Sequence, residues 1–282
     1  MVGAEHERRL LAISDLHVEA PENRDFVLGL PSDSSDWLIV CGDVGASMEA
    51  IQWALRELAE RFQTVIWVPG NHELWTYPDD PIQLRGDQRY RYIVQYCEEL
   101  GIITPEDPFP VWRGQKGSVV IVPLFLLYDY SFAAGNLPKD RALSRARSAG
   151  IVCSDEFLLF SDPFSSVEEW CRERIAKAHV RLEAATQELP SVLVNHFPLL
   201  REHTKSLLHP DFAQWCGTTL TADWHTRFRA RVVVYGHLHI PRTTVHNGVP
   251  FREVSLGYPR QWRRRPVEQR SLRRIFSEGE QT

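Results

Sequence analysis

Cysteine is sparse in this 282-residue chain: Cys41, Cys97, Cys153, Cys171 and Cys216 are scattered, odd in number and never paired as C-x-x-C. That pattern excludes a disulfide framework and a structural zinc knuckle, and it suits the reduced thiols of a cytoplasmic protein. Long apolar runs are missing too. The longest, residues 121–127, contains Pro123 and falls far short of a bilayer's thickness, so no membrane span is expected. The N-terminus is charged and leads straight into a strand-like segment, unlike a secretory signal. Positive charge is in deficit, with a formal net charge of −5. A global basic field is therefore absent, and no nucleic-acid partner is expected. Neither an internal repeat nor a linker divides the sequence. With 43% hydrophobic residues it can fold as one large globular domain.

What is present is a series of short, β-branched apolar segments, each followed at once by polar residues. Residues 10–14 read as a buried strand ending in Asp15-Leu16-His17. In extended backbone, residues two apart point to the same side, so Asp15 and His17 are expected to converge. Residues 37–41 form a second strand, closed by Gly42-Asp43, where the glycine allows a sharp turn. Ser47 is placed to cap a helix running through Arg61, with Met48, Ile51, Trp53, Leu55 and Leu58 on its apolar side. Residues 65–68 form a third strand; Pro69-Gly70 breaks it, and Asn71-His72-Glu73 follows. Another helix is expected over residues 87–100, stopped by Gly101. Strands alternating with helices, with chemistry at successive strand ends, are the pattern of a parallel α/β sheet.

From residue 109 the periodicity changes. Residues 111–112 and 118–127 read as strands around a turn at 114–117, suggesting a second, partly antiparallel sheet packed on the first. Residues 128–165 are expected to form a cap or insert, and 166–189 a long helix stopped by Pro190. The strand at 192–194 ends in Asn195-His196-Phe197-Pro198. Residues 199–229, rich in His, Trp and Thr, read as a long loop region over the site. The strand at 232–235 ends in Gly236-His237-Leu238-His239, and a hairpin turning at Asn247-Gly248 follows. The arginine-rich tail beyond Tyr258 reads as irregular and solvated, with nucleic-acid binding by Arg260 to Arg274 the lesser alternative.

Five strand ends thus carry D-x-H, G-D, G-N-H-E, N-H-F-P and G-H-L-H, in that order. The ordered set resembles the calcineurin-like metallophosphoesterase superfamily, whose pattern is D-x-H, G-D, G-N-H-[DE], H and G-H-x-H. The resemblance implies an α/β fold, a four-layer α-β-β-α sandwich of two mixed β-sheets flanked by helices, with a dinuclear metal site at the strand ends. It also implies that Asp15, His17 and His239 hold one ion, that Asn71, His196 and His237 hold the other, and that Asp43 bridges them. The residue types agree with this chemistry, because two adjacent cations repel and need an anion between them. Mixed imidazole and oxygen donors suit two divalent transition-metal ions, manganese first, with iron or zinc as alternatives. A water between such ions is acidified towards neutral pH and can attack phosphorus in line. His72 is not a ligand in the family; there it protonates the leaving alkoxide or stabilises phosphoryl charge. Asp15 and Glu73 are both candidates to orient it.

The expected activity is hydrolysis of a small-molecule phosphoester, a monoester or a diester. Phosphoprotein phosphatases of the superfamily follow their G-D with a D-R-G segment, whereas Val44-Gly45-Ala46-Ser47 stands here. That departure argues against a protein Ser/Thr phosphatase and leaves the phosphate clamp unidentified. Arg242, just beyond His239, is either a bidentate phosphate grip or a surface arginine. Tyr128, with Asp129 and Tyr130, is either pocket wall or core edge. His203, His209 and His225 are either substrate contacts or exposed loop histidines. Trp215 and Trp224, together with residues 128–136, are expected to shape the specificity pocket. The competing class is a non-catalytic interaction scaffold, as in a retromer subunit; such a scaffold can lose ligands that this chain keeps. Cleavage of a P–N bond is a third reading. The motifs leave the oligomeric state open.

Overall fold

In the computed structural model of the chain, residues 8–32, 34–114 and 117–276 are described. The first half contains β1 (Leu10–Ile13), α1 (Pro21–Leu28), β2 (Ser34–Val40), α2 (Met48–Arg61), β3 (Phe62–Trp67) and α3 (Gly86–Glu99). Ser47 caps α2 by accepting the Ala50 N–H at 3.2 Å. The second half contains β4 (Val111–Gly114), β5 (Gly117–Pro123), α4 (Lys139–Ser148), α5 (Asp155–Leu158), α6 (Val167–Ala185) and β6 (Ser191–Val194). It continues through α7 (Trp224–Arg227), β7 (Ala230–Tyr235), β8 (Arg242–His246), β9 (Val249–Glu253), α8 (Pro259–Trp262) and β10 (Arg273–Arg274).

Two sheets result, one ordered β10-β1-β2-β3 and the other β4-β5-β6-β7-β9-β8. Both are mixed: β10, β4 and β8 run antiparallel to their neighbours, and the remaining pairs are parallel. Alternation along each strand assigns every side chain to a layer. Leu11, Ile13, Leu38, Val40, Val65 and Trp67 pack with the apolar sides of α1, α2 and α3. Their neighbours Leu10, Ala12, Ile39, Ile66 and Val68 meet Ile121, Val192, Val194, Val232 and Val234 between the sheets. Val120, Val122, Leu193, Val233 and Tyr235 face Leu182 of α6 and Trp224 of α7. This is the four-layer α-β-β-α sandwich that the motif order implied.

Several local expectations shift. Residues 115 and 116 of the expected turn lie outside the described residues. The β5 ladder stops at Pro123; Leu124 still donates to Val194 O at 2.8 Å, after which the Leu126 N–H turns to the Asn195 side chain. Residues 199–229 hold three 3₁₀ turns (Arg201–Ser206, Pro210–Trp215 and Thr219–Thr221) besides α7. The tail beyond Tyr258 is not irregular, because α8 and β10 lie within it. β10 covers the edge of β1 that would otherwise be open, and Ile275 beside it is buried between the sheets. No helix among the described residues is long and apolar enough to cross a membrane.

The strands carrying the five motifs run parallel within their sheets, so all five strand ends emerge on one edge of the sandwich, where α/β sheets place their sites. The two sheets meet there. The Ser14 N–H donates to Val254 O at 3.1 Å, and the Leu256 N–H donates to Ser14 O at 2.8 Å.

Candidate metal centre and substrate cleft

Asp15 and His17 do converge, though not through extended backbone. Both have positive φ (55° and 40°), as do Asp43 (54°), His237 (70°) and His239 (55°). Left-handed backbone at non-glycine residues costs on the order of 1–3 kcal/mol each and persists where the surroundings impose it. Here neighbouring backbone does so: the Asp15 N–H donates to Gly42 O at 2.9 Å and the His17 N–H to Asp43 O at 3.0 Å. Two motif glycines are required by close approach. A Cβ on Gly70 would lie 2.1 Å from Asp43 Oδ1, and one on Gly236 would lie 2.4 Å from Asp15 Oδ2.

The side chains form three overlapping clusters whose donor atoms lie within 4.8 Å of one another: Asp15–His17–His239, His17–Asp43–His72 and Asp43–His196–His237. Asp15 Oδ1 is 2.9 Å from His239 Nε2, which is 3.2 Å from His17 Nε2. On the other side, His196 Nε2 lies 3.2 Å from Asn71 Oδ1, 3.2 Å from His237 Nδ1 and 3.4 Å from Asp43 Oδ2. Outer partners set the tautomers. His196 Nδ1 faces the Cys41 carbonyl at 2.7 Å, and His239 Nδ1 faces Gln261 Oε1 at 2.8 Å. A carbonyl oxygen only accepts, so both Nδ1 atoms carry the proton and both Nε2 lone pairs point inward at oxygen and nitrogen.

Inward lone pairs beside two buried carboxylates call for a cation. Among the described residues, no lysine or arginine pairs with Asp15 or Asp43. Burial opposes the charge on Asp43, but the His196 and His72 rings outweigh it and hold the carboxyl well below the usual range. Burial also favours a neutral His196, yet Asp43 and Asp15 overcome this and raise it to about 10, so the inward Nε2 takes a proton wherever no cation binds it. Burial and the neighbouring His196 push His237 down to about 3, and its Nε2 is buried without a partner. The site thus demands positive charge, and its donor set of imidazole, carboxylate and amide oxygen fits a divalent transition ion.

A second ring of residues holds these donors, and sequence reasoning missed most of it. Glu73 does not orient His72. It clamps two loops, with Oε2 accepting the N–H groups of Asp43 and Gly70 and Oε1 that of Val44, each at 2.9 Å. Asp15 makes no hydrogen bond to the His72 ring either; its Oδ2 accepts from Ser255 Oγ at 2.7 Å and from the His237 N–H at 3.1 Å. Instead the His72 N–H donates to Asp43 Oδ1 at 3.0 Å, and its ring lies over Trp75 with centroids 3.6 Å apart. Asp155 of α5 accepts from Asn71 Nδ2 at 2.8 Å and Trp75 Nε1 at 2.7 Å, which turns Asn71 Oδ1 towards His196. No local motif signals Asp155 or Gln261.

A cleft of about 290 Å³ opens onto His17 and His72, walled by Trp75, Tyr77, Tyr258, Glu19 and Ser47. The Tyr258 ring stacks on His17 at 4.3 Å. The residues singled out earlier for substrate contact lie elsewhere. Tyr128 is 1% exposed, packed between Tyr130 and Phe197. Trp215 is buried, its indole donating to Glu156 at 2.7 Å; its neighbour Phe212 is the aromatic that stacks on His237, at 6.1 Å. Trp224 is buried against His179 and Phe228. His225 meets Asn247 at 3.2 Å, at the hairpin turn on the opposite edge of the sheet. Arg242 donates to His203 O at 3.1 Å and lines a separate groove with Arg252 and Arg273. His203 is buried under Tyr235, and only His209 is the exposed loop histidine foreseen. Apart from Phe212, the aromatics of residues 199–229 are core side chains; those of the cleft follow the G-N-H-E motif or come from the tail.

Comparison with known proteins agrees with this geometry. A profile of the family described as calcineurin-like phosphoesterase matches residues 8–241. The chain is 53% identical over 266 residues to "[Acyl-carrier-protein] phosphodiesterase PptH" of Mycobacterium tuberculosis, covering 94% of this chain and 82% of that protein. It is likewise similar to the crystal structure of the phosphopantetheinyl hydrolase PptH from Mycobacterium tuberculosis, with a TM-score of 0.94 and 50% identity over 99% of each chain.

Replacing Asp155 tests the outer ring. Asp155→Ala leaves the Asn71 amide and Trp75 indole without their acceptor, and loss of such support weakens metal affinity by about 10–100-fold. Titration of metal-free protein with Mn²⁺, followed calorimetrically, should show one weakened site and one nearly unchanged site. Two unchanged sites would remove Asp155 from the account.

Proposed function

This chain belongs to the calcineurin-like phosphoesterase family, and we propose that it is a metal-dependent phosphodiesterase releasing a phosphopantetheinyl group from an acyl carrier protein. It is a hydrolase of phosphoric esters, and a scaffold role without catalysis is not favoured. The diester reading is carried by the cleft, whose walls among the described residues include three aromatic rings and Glu19 but no lysine or arginine. A terminal phosphate bears two charges and is ordinarily gripped by a cationic fork. A diester bears one charge and two substituents, which suits aromatic walls. The carrier protein is supported by the name of the 53%-identical relative, and it replaces the free small molecule expected from the motifs.

Asp15, His17 and His239 would hold one ion, Asn71, His196 and His237 a second, and Asp43 both, with manganese favoured and iron or zinc as alternatives. Bound there, divalent ions supply an acidified water and neutralise charge on the phosphoryl oxygens. His72, 15% exposed at its side chain and placed on the cleft by Asp43 and Trp75, donates a proton to the departing alkoxide. We read the chain as one phosphoesterase unit. In it the insert at 128–165 steadies Asn71 through Asp155, and residues 199–229 lie against His237 through Phe212. All five cysteines are free and buried, which fits a cytoplasmic setting.

Incubation of metal-loaded protein with a phosphopantetheinylated carrier should yield the unmodified carrier by intact mass. Its kcat/KM should exceed that for phosphomonoesters by at least about tenfold, the equivalent of ~1.4 kcal/mol. Preference for monoesters, or no conversion of the carrier, would contradict the reading. His72→Ala should lower turnover of an alkyl diester by about 10²–10⁴-fold with metal content retained. The loss should shrink for nitrophenolate, which leaves without a proton. Equal losses on both would assign His72 to charge stabilisation instead.

A further inference from the structure

Between residues 259 and 274 the sequence has seven arginines against one glutamate, in a chain whose net charge is −5. A run of this composition is ordinarily a solvated tail, but residues 258–265 are pinned. Trp262 Nε1 donates to Asn23 Oδ1 at 2.8 Å, and Arg265 donates to the carbonyls of Leu256 and His239, each at 2.8 Å. Gln261 meets His239 from the same segment, and Tyr258 walls the cleft. On this fixed platform Arg260, Arg263 and Arg264 are exposed. Arg263 pairs with Glu22. Arg260 lies 5.8 Å from the Tyr258 ring centroid, and neither it nor Arg264 is ion-paired among the described residues. Mutual repulsion of closely spaced arginines opposes folding, and among the described residues the Arg264 side chain makes no hydrogen bond or ion pair.

We infer that this lip of the cleft is a docking surface for an acidic face of the protein that carries the phosphoester, with Arg260 and Arg264 as its contacts. The inference rests on the carrier-protein reading above. A protein-borne phosphoester cannot enter the cleft without bringing its carrier against the rim, and the pinned segment that carries Arg260 and Arg264 continues directly from Tyr258, the cleft wall stacked on His17. Fixed positive charge there raises the encounter rate with an acidic surface and sets its orientation. Nucleic acid fits less well. Among the described residues the cleft is lined by Glu19 and by no lysine or arginine that would lead a phosphate backbone inward.

Steady-state kinetics of the metal-loaded full chain test this with two substrates, a phosphopantetheinylated acyl carrier protein and bis(p-nitrophenyl) phosphate. The double change Arg260→Glu with Arg264→Glu should raise KM for the carrier by at least about tenfold, within the range of electrostatic steering. The small diester should be turned over within about twofold of the unaltered rate, since rim charges act on encounter. Raising the salt should raise KM only for the carrier. The milder Arg264→Gln should shift KM in the same direction if the double variant folds poorly. An unchanged carrier KM in these variants would overturn the inference, as would equal losses on both substrates. Competition by single-stranded RNA as strong as that by free carrier would overturn it in favour of nucleic acid. If the unaltered protein cleaves the small diester but not the carrier, the carrier reading itself falls, and the docking surface falls with it.

Discussion

Two buried carboxylates with no lysine or arginine partner among the described residues are the constraint on which the rest of this molecule turns. Asp15 and Asp43 sit where the two sheets meet, each within reach of several imidazoles. Burying unpaired negative charge is prohibitive in an apolar interior, so the fold must supply cations or bind them. It arranges for binding. The Cys41 carbonyl and the Gln261 amide oxygen hold the outer nitrogens of His196 and His239, leaving their inner lone pairs to face the carboxylates. Glu73 ties the loops after β2 and β3 together through three backbone N–H groups, so Asp43 cannot drift from Asn71. Strained backbone at five donor residues is the local cost of that convergence.

The outer support comes from segments far apart in sequence, and this links the centre to the cleft. Asp155 reaches in from a short helix in the insert, and Gln261, Arg265 and Tyr258 reach in from the tail. The same tail closes the edge of β1 through β10. Residues 258–265 therefore steady His239, form a cleft wall and present a basic rim, three roles that a solvated tail could not fill.

Much of this was legible in the sequence. Short β-branched strands followed at once by ligand-type residues disclosed the parallel strands, the edge carrying the site and the candidate donors, because a strand end is local information. Asp15 and His17 converge as expected but by a different cause, since D-x-H adopts left-handed turns whose geometry depends on Gly42 and Asp43 across the sheet. What stayed hidden is tertiary. Nothing within a few residues of Asp155 or Gln261 marks it as a partner of Asn71 or His239. Trp215, Trp224 and Tyr128 drew attention as aromatics in loop-like stretches, yet burial made them core. Trp75 and Tyr77 lie directly after His72, and their nearness to the motif was the one available signal for the cleft.

The account's central claim is that this centre holds two divalent ions with Asp43 shared between them. Metal analysis of protein purified without chelator, beside Asp43→Asn prepared identically, tests it most directly. About two equivalents of transition metal per chain are expected in the unaltered protein, as for two-metal sites generally, with both occupancies reduced in the variant. Metal content that is the same in both proteins, or absent from both after loading with manganese, iron or zinc, would contradict the account.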